Sequence, residues 1–144
     1  MLPLWLLVMV PLWPQTGTAA PGGNDPVSFI GLTLDELLRR FGTPRSVYAA
    51  RGLEEWQDDV VFVYDQGDFY IYNDRVWQAG LRAALGINSG DSRAVVSLVL
   101  GPKAESRGNS VFYSLDEYAW PMMLRCDFDK DDKVQAIFIY RTDF

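Results

Sequence analysis

The chain of 144 residues contains no histidine and a single cysteine. The absence of histidine excludes a histidine-dependent catalytic triad and a histidine-ligated metal site. Cys126 has no second cysteine with which to form an intramolecular disulfide and no histidine to activate its thiol. Because it alternates with Met122, Leu124 and Phe128, it is expected to be a small apolar residue on one face of a strand. A reactive thiol and an intermolecular bridge are the alternatives.

Basic residues are scarce. The chain has 13 Lys and Arg against 19 Asp and Glu, and its formal net charge is −6. Nucleic-acid binding depends on Lys and Arg that neutralise phosphates, so this balance argues against a nucleic-acid partner. It also disfavours anionic membrane surfaces. The acidity suits a protein that works outside the cell or one that binds a basic partner.

The longest apolar run is too short for an ordinary membrane span of about 20 residues. It extends from Leu2 to Trp13 and precedes a small, neutral segment that ends at Ala20. This pattern is typical of a secretory signal peptide over residues 1–20, with an uncleaved amphiphilic tail as the alternative. No cysteine lies near the expected cleavage point, so no lipid anchor is expected. The predicted location is periplasmic or secreted, and residues 21–28 are predicted to form a flexible lead.

Two stretches of the chain are similar at an offset of 59 positions. Residues 31–44 read GLTLDELLRRFGTP, and residues 90–102 read GDSRAVVSLVLGP. In the first stretch, Thr33 and Glu36 have the spacing of a capping box, and apolar residues follow at helical spacing. In the second, Ser92 is a candidate cap. Its expected buried stripe consists of Val95, Val96, Val99 and Leu100.

Alternating aromatic and β-branched segments follow each predicted helix. The predicted strands are 46–50, 60–64, 69–72, 76–81, 111–115, 121–128 and 134–140. The last is expected to be central because it is apolar on both sides, with Val134, Ala136 and Phe138 opposite Ile137 and Ile139.

The order of these elements predicts an α+β fold. Two tandem helix-plus-β-meander repeats, 29–84 and 85–144, are expected to form one antiparallel sheet with both helices packed on one face. The open face of that sheet is then the expected functional surface.

Candidate catalytic and metal-binding groups are few. The carboxylate pairs Glu54/Glu55, Asp58/Asp59 and Asp116/Glu117 are adjacent in sequence, which favours solvated groups, although pairs that assemble in space leave a hydrolase as the enzymatic alternative. Asp127, Asp129 and Asp131 occupy the first positions of a calcium-loop pattern. Asp132 and Phe138 stand where that pattern needs glycine and glutamate, so a polar turn is favoured. We predict no enzymatic activity, no metal and no cofactor.

Aromatic residues are the stronger functional signal. Strict alternation along residues 69–72 places Tyr70 and Tyr72 on the side opposite to Phe69. Tyrosine and tryptophan combine rigid contact area with a polar tip, which is the composition enriched in binding hot spots. The candidate partner-binding residues are Asp68, Tyr70, Tyr72, Trp77, Tyr118 and Trp120. Core packing stays an equal alternative for Tyr70, Tyr72, Trp77 and Trp120.

The motif at 31–44, with its weaker copy at 90–102, resembles the helix motif of tandem β-lactamase-inhibitory-protein-like (BLIP-like) modules. It also resembles the single-module outer-membrane lipoprotein domain BamE (SmpA/OmlA). Residues 66–72 are similar to the inhibitor's Gly-Asp-aromatic-Tyr-x-Tyr hairpin. The resemblance implies that Asp68 enters an enzyme's active site, that Tyr70 and Tyr72 contact the partner through the sheet, and that a second insertion lies near Tyr118 or Trp120. The chain lacks the inhibitor's disulfides and BamE's lipidated cysteine.

The sequence therefore predicts a secreted or periplasmic, non-enzymatic protein-binding module. Its sharpest version is an inhibitor of a β-lactamase or related serine hydrolase, because a rigid carboxylate can fill a cationic pocket through charge-assisted hydrogen bonds. The alternative is an accessory protein for envelope or outer-membrane assembly and stability, whose partner is an envelope protein.

Overall fold

The structure is a computed structural model that describes residues 25–52 and 58–143. The predicted signal peptide and the carboxylates Glu54 and Glu55 lie outside these residues. The helical elements are a 3-10 helix at Pro26–Phe29, α1 at Leu34–Phe41 and α2 at Arg93–Leu100. The strands are β1 Ser46–Ala50, β2 Asp59–Val63, β3 Gly67–Tyr72, β4 Arg75–Leu81, β5 Ala83–Ala84, β6 Ile87–Asn88, β7 Glu105–Arg107, β8 Ser110–Ser114, β9 Met122–Phe128 and β10 Val134–Arg141.

Eight of these strands form one antiparallel sheet in the order β1-β2-β3-β4-β10-β9-β8-β7. The strands β4 and β10 pair at its middle, with Gly80 opposite Phe138. The predicted α+β class, the antiparallel sheet and the central position of the last strand are therefore confirmed. The hairpin β5–β6 is a separate two-stranded sheet that the sequence did not predict. The short edge strand β7 is likewise absent from the predicted strands.

The capping box fixes the start of α1. The Thr33 hydroxyl accepts a hydrogen bond from the Glu36 backbone N–H at 3.2 Å, and the Glu36 carboxylate accepts one from the Thr33 N–H at 2.8 Å. The helix ends at Gly42, whose φ of 74° suits a residue without a side chain. Leu37 faces inwards and is completely buried.

An aromatic cluster lies between α1 and the sheet. Phe29 and Phe41 both contact Phe69 of β3, with ring centroids 5.4 Å apart in each pair. The Tyr64 ring lies 5.8 Å from Phe69, and its hydroxyl donates to the Gly42 carbonyl at 3.1 Å. Such pairs contribute about 0.5–1.5 kcal/mol each beyond the burial of their area. Phe69 is fully buried at the centre of this cluster.

The second helix buries a narrower stripe than the sequence predicted. Ser92 caps α2, Val96 is fully buried in the same core as α1, and Leu100 packs partly against that core. Val95 and Val99 are instead 38% and 46% exposed, so their expected burial is wrong. Within this helix of eight residues, Val96 and Leu100 are four positions apart and contact the core along one line. Val95 and Val99 each precede one of these residues and point away from the core.

Each helix start is hydrogen-bonded to the beginning of the last strand in its own half of the chain and to the turn before that strand. The equivalent backbone hydrogen bonds are Gly31 N to Val76 O (2.7 Å), Leu34 N to Asp74 O (3.2 Å), Gly90 N to Val134 O (2.8 Å) and Arg93 N to Asp132 O (3.2 Å). The two sets therefore hold their helices to the strands in the same way.

Each half also has a register shift near the start of its last strand. An extra residue, Trp77 in β4 and Gln135 in β10, lies at the shift. A bulge of this kind moves the residues before it to the other side of the sheet relative to a regular strand. Val134 is therefore buried in the core, and its predicted place beside Ala136 and Phe138 is wrong.

Residues 25–28 fall within the predicted flexible lead 21–28, but they have a defined structure. Pro26 opens the 3-10 helix, for which its fixed φ is suitable, and the Asp25 carboxylate accepts a hydrogen bond from the Val27 N–H at 3.0 Å. Val27 is 7% exposed and belongs to the core. Residues 25–28 are thus part of the fold.

Candidate functional site

One face of the sheet carries half-buried aromatic side chains on the side away from the helices. We call it the aromatic face, and its rings are Tyr70, Tyr72, Trp77, Phe138 and Tyr140. The alternate residues of the same strands enter the core that both helices cover. Strand alternation thus separates core rings from surface rings, as the sequence predicted for Tyr70 and Tyr72.

Two contacts fix the side chain of the bulge residue Trp77. Its indole N–H donates to Asp59 Oδ1 at 3.0 Å, and its ring centroid lies 6.4 Å from that of Tyr140 in an edge-to-face arrangement. Burial raises the pKa of the Asp59 carboxyl, and the hydrogen bond from Trp77 opposes this effect. The tryptophan is therefore fixed in place before any partner arrives.

Phe138 forms the floor at the middle of the aromatic face. Its ring leans over Gly80, where an added Cβ would lie 3.2 Å from a ring atom. Its centroid is 6.5 Å from that of Tyr70, again edge to face. Burial is the main cause that raises the pKa of Tyr70 to about 12, with a further contribution from a hydrogen bond with Tyr48, so this phenol is protonated at neutral pH.

Asp68 lies in β3 on the same face as Tyr70, since the two residues are separated by one position in a regular strand. The similarity to the inhibitor hairpin implied a loop carboxylate, but the turn consists of Asp65 and Gln66, and β3 already begins at Gly67. A cleft of about 310 Å³ borders Asp68, Tyr70 and Phe138. The acid is therefore a partly exposed group at the wall of a cleft.

Arg125 of β9 is a member of the site that the sequence did not reveal. Its guanidinium carbon lies 4.3 Å from the Phe138 ring centroid. The available signal was a basic residue in the middle of a strand whose alternate positions, Leu124 and Cys126, are apolar. Sequence alone could not place it on Phe138, because β9 and β10 pair only in the folded chain.

The other two predicted contact residues lie elsewhere. Tyr118 and Trp120 belong to the connection between β8 and β9, where Tyr118 packs against the core. The Trp120 ring occupies the position that a side chain on Gly31 would need, and the Arg141 guanidinium lies 4.4 Å from it. An apolar cleft of about 280 Å³ borders both aromatic residues. The structure thus brings together Asp68, Tyr70, Tyr72 and Trp77, but not Tyr118 and Trp120.

The groups considered for metal binding and covalent chemistry have structural roles. Asp129 Oδ1 accepts hydrogen bonds from the Asp131 and Lys133 N–H groups at 2.9 and 3.0 Å, which makes this segment a turn. Across residues 25–52 and 58–143, no group of three metal-ligating side chains is close enough to hold an ion. Cys126 is fully buried, and burial raises the pKa of its thiol to about 11. Nor is any helix in this part of the chain long and apolar enough to cross a membrane.

Comparison with known proteins identifies the fold alone. No family model and no curated protein sequence matches the chain. A solved structure of an extracellular protein containing a SCP domain from Bacillus anthracis matches with a TM-score of 0.54 at 13% identity, covering 91% of this chain and 50% of that one. A cysteine-rich secretory protein from Staphylococcus aureus matches with a TM-score of 0.50 at 10% identity, covering 84% of this chain and 47% of that one. The chain thus spans about half the length of each of these structures.

Proposed function

We propose that this protein is a secreted or periplasmic, non-enzymatic protein-binding module whose binding surface is the aromatic face. The observation that carries the proposal is a set of partly exposed rings on the side of the sheet away from the helices, four of which form edge-to-face pairs. Rigid aromatic side chains with polar tips supply the desolvated centre of protein interfaces at a low entropic cost. Tyr70, Tyr72 and Trp77 are the central contacts in this proposal.

We also propose that residues 29–84 and 85–144 are two related units that share one sheet. Three features support this relation: the equivalent hydrogen bonds at the two helix starts, the bulges at Trp77 and Gln135, and the mirrored strand order around β4 and β10. A duplicated unit creates a sheet twice as wide as a single unit can form. A wide, rigid sheet suits a binding surface because little of it has to be ordered on association.

A location outside the cytoplasm is supported by two observations. The N-terminal apolar run has the pattern of a secretory signal. In addition, the two structural neighbours are described as an extracellular and a secretory protein.

The sharpest version of the proposal is inhibition of a serine hydrolase such as a β-lactamase. Asp68 supports it, because the carboxylate is partly exposed at the wall of a cleft and adjoins Tyr70 on a rigid strand. A carboxylate in this position can enter a cationic pocket of an enzyme, while the rings around it exclude water.

The second candidate is an accessory role in envelope assembly, and the outer surface of α2 favours it. Val95, Leu98 and Val99 are 38%, 84% and 46% exposed on this helix. Exposed apolar side chains that adjoin one another mark interaction sites more often than isolated ones do. A second contact surface allows binding to two partners at once, which suits a role in a multi-component assembly better than the inhibition of one enzyme.

The test uses the full chain as bait for envelope extract, with aromatic-face variants beside it. A specific partner should bind the wild type and the Trp120→Ala variant, and should be lost from Tyr70→Ala, because Trp120 lies outside the aromatic face. A partner that all three baits retain would contradict the proposal.

Asp68→Ala then separates the two candidates once a partner is in hand. For an inhibitor, loss of a desolvated carboxylate should weaken binding by about 2–5 kcal/mol, as calorimetry would measure. Asp35→Ala is the matched control, since Asp35 is an exposed carboxylate of α1 that pairs with Arg39 on the helix side of the sheet. A loss below about 0.5 kcal/mol for Asp68→Ala would remove this residue from the mechanism and favour the assembly role.

A further inference from the structure

A cross-strand row of residues crosses the middle of the aromatic face. Neighbouring strands place Asp68, Gly80, Phe138 and Arg125 side by side in that order. Strands in a sheet are about 4.8 Å apart, so the backbone positions of Asp68 and Arg125 are about 14 Å apart. The row therefore has a carboxylate at one end, a guanidinium at the other and an aromatic ring between them.

The guanidinium of Arg125 keeps hydrogen-bonding capacity that the fold does not use. Its Nε atom is buried and has no hydrogen-bond partner among the described residues. Asp127 Oδ1 lies 3.1 Å from it, an ion-pair distance without the alignment that a hydrogen bond requires, and this oxygen already accepts from Ser110 Oγ at 2.6 Å. Because this donor is buried, a ligand on the face can reach only the part of the guanidinium beyond Nε.

The Arg125 side chain is also positioned for a ligand on the aromatic face. It is 32% exposed and rests on Phe138, which restricts the plane of the guanidinium. Tyr140 follows Phe138 two positions on along β10, and the Tyr70 ring centroid lies 6.5 Å from that of Phe138, so both phenols flank the ring on which Arg125 rests. A planar cation beside neutral phenol donors is a set of groups that binds carboxylates, since the guanidinium can form two parallel hydrogen bonds to one.

The charged groups around Arg125 determine the local charge that an acidic ligand meets. Arg107 and Asp127 adjoin the same part of the face, and the two arginines partly offset the negative charge of Asp127. Arg107 is itself paired with Glu105 at 2.8 Å. The protein as a whole is acidic, with a formal net charge of −6, so an acidic group is repelled from most of its surface. With two arginines and two carboxylates, this part of the face is locally neutral, so an acidic group meets less repulsion here than the net charge implies.

We propose that Arg125 is the subsite of the aromatic face for an acidic side chain of the protein partner. This inference rests on the proposed function and adds the chemistry of one contact. The partner's aspartate or glutamate meets the guanidinium and the Tyr70 and Tyr140 phenols, while Phe138 excludes water beneath it. Arg125 then selects partners that place an acid on this side of the face.

The test is selection of random peptides, displayed on phage, against the full chain. Peptides that bind the wild type but not Tyr70→Ala define binders of the aromatic face. They should share an aspartate or glutamate, and replacing it by asparagine or glutamine should weaken binding to the wild type about 10- to 100-fold, as expected for hydrogen bonds to a charged group. The same replacement should change binding to Arg125→Gln by less than about threefold.

The other outcomes would contradict either this inference alone or the proposed function as well. Binders of the aromatic face without a shared acid, or binders that Arg125→Gln retains fully, would overturn this inference and leave the proposed function in place. If no binder depends on Tyr70, the proposed function fails and this inference fails with it. Circular dichroism checks that Arg125→Gln folds, and Arg125→Lys, which keeps the charge but not the planar fork, should show an intermediate loss. If Arg125→Gln does not fold, the comparison of acidic and amide peptides on the wild type decides alone.

Discussion

Gly31 and Gly90 provide a matched pair for testing how the two helix starts are packed. Both have positive φ angles, 88° and 92°, and both donate a backbone hydrogen bond to a valine carbonyl, at 2.7 and 2.8 Å. They differ in their surroundings. A Cβ on Gly31 would overlap the Trp120 ring, whereas a Cβ on Gly90 has no described atom within 4 Å. The same substitution therefore probes the backbone alone at one site, and the backbone plus a side-chain contact at the other.

The expected losses follow from these two situations. Alanine in the left-handed region costs about 1–2 kcal/mol, so Gly90→Ala should lower the free energy of unfolding by that amount. Gly31→Ala carries the same backbone cost together with displacement of the Trp120 ring, and overpacking costs about 1–3 kcal/mol. Since Trp120 is 40% exposed and can move outwards, we expect the lower half of that range. The difference between the two variants should then be about 1–2 kcal/mol.

Urea unfolding followed by far-UV circular dichroism measures both variants without relying on tryptophan fluorescence. The double variant Gly31→Ala/Trp120→Ala completes a cycle in which the second substitution removes the overlap. It should recover about 1 kcal/mol relative to the sum of its two single losses. Equal losses for Gly31→Ala and Gly90→Ala, or strict additivity in the cycle, would refute the placement of Trp120 against the helix start.

The remaining predictions concern the caps and the cysteine. Thr33→Ala should destabilise the fold by about 1 kcal/mol and Ser92→Ala by less, because Thr33 forms a complete capping box and Ser92 forms one bond of 3.4 Å; equal losses in urea would contradict this. Hydrogen bonds from Thr33 lower the pKa of Glu36, so its contribution should be present above pH 4.5 and lost as the pH falls through its lowered folded-state pKa, which the difference between wild type and Thr33→Ala should track. Cys126 should resist a thiol reagent until the chain unfolds, since it is buried with a pKa of about 11; rapid labelling of the native protein would show that β9 opens.

The aromatic face shows why only part of a candidate site can be read from sequence. Tyr70 and Tyr72 were assigned correctly to one side, because alternation along a single strand depends only on local geometry. Tyr118 and Trp120 were grouped with them on composition. Their segment connects two strands and is not part of one, so alternation gives no information about its direction, and only the packing of the connection shows that it lies elsewhere.

The sequence by itself determined the local elements of this protein. Capping residues and glycines fixed the helix ends, alternation located the long strands, and the absence of histidine excluded two kinds of chemistry. The tertiary structure alone decided which strands pair, where the bulges fall and that Arg125 rests on Phe138. The physical reason is the separation along the chain over which each interaction acts. Caps and alternation act over a few residues, whereas the pairing of β4 with β10 joins residues such as Gly80 and Phe138, which meet only when the whole core has formed.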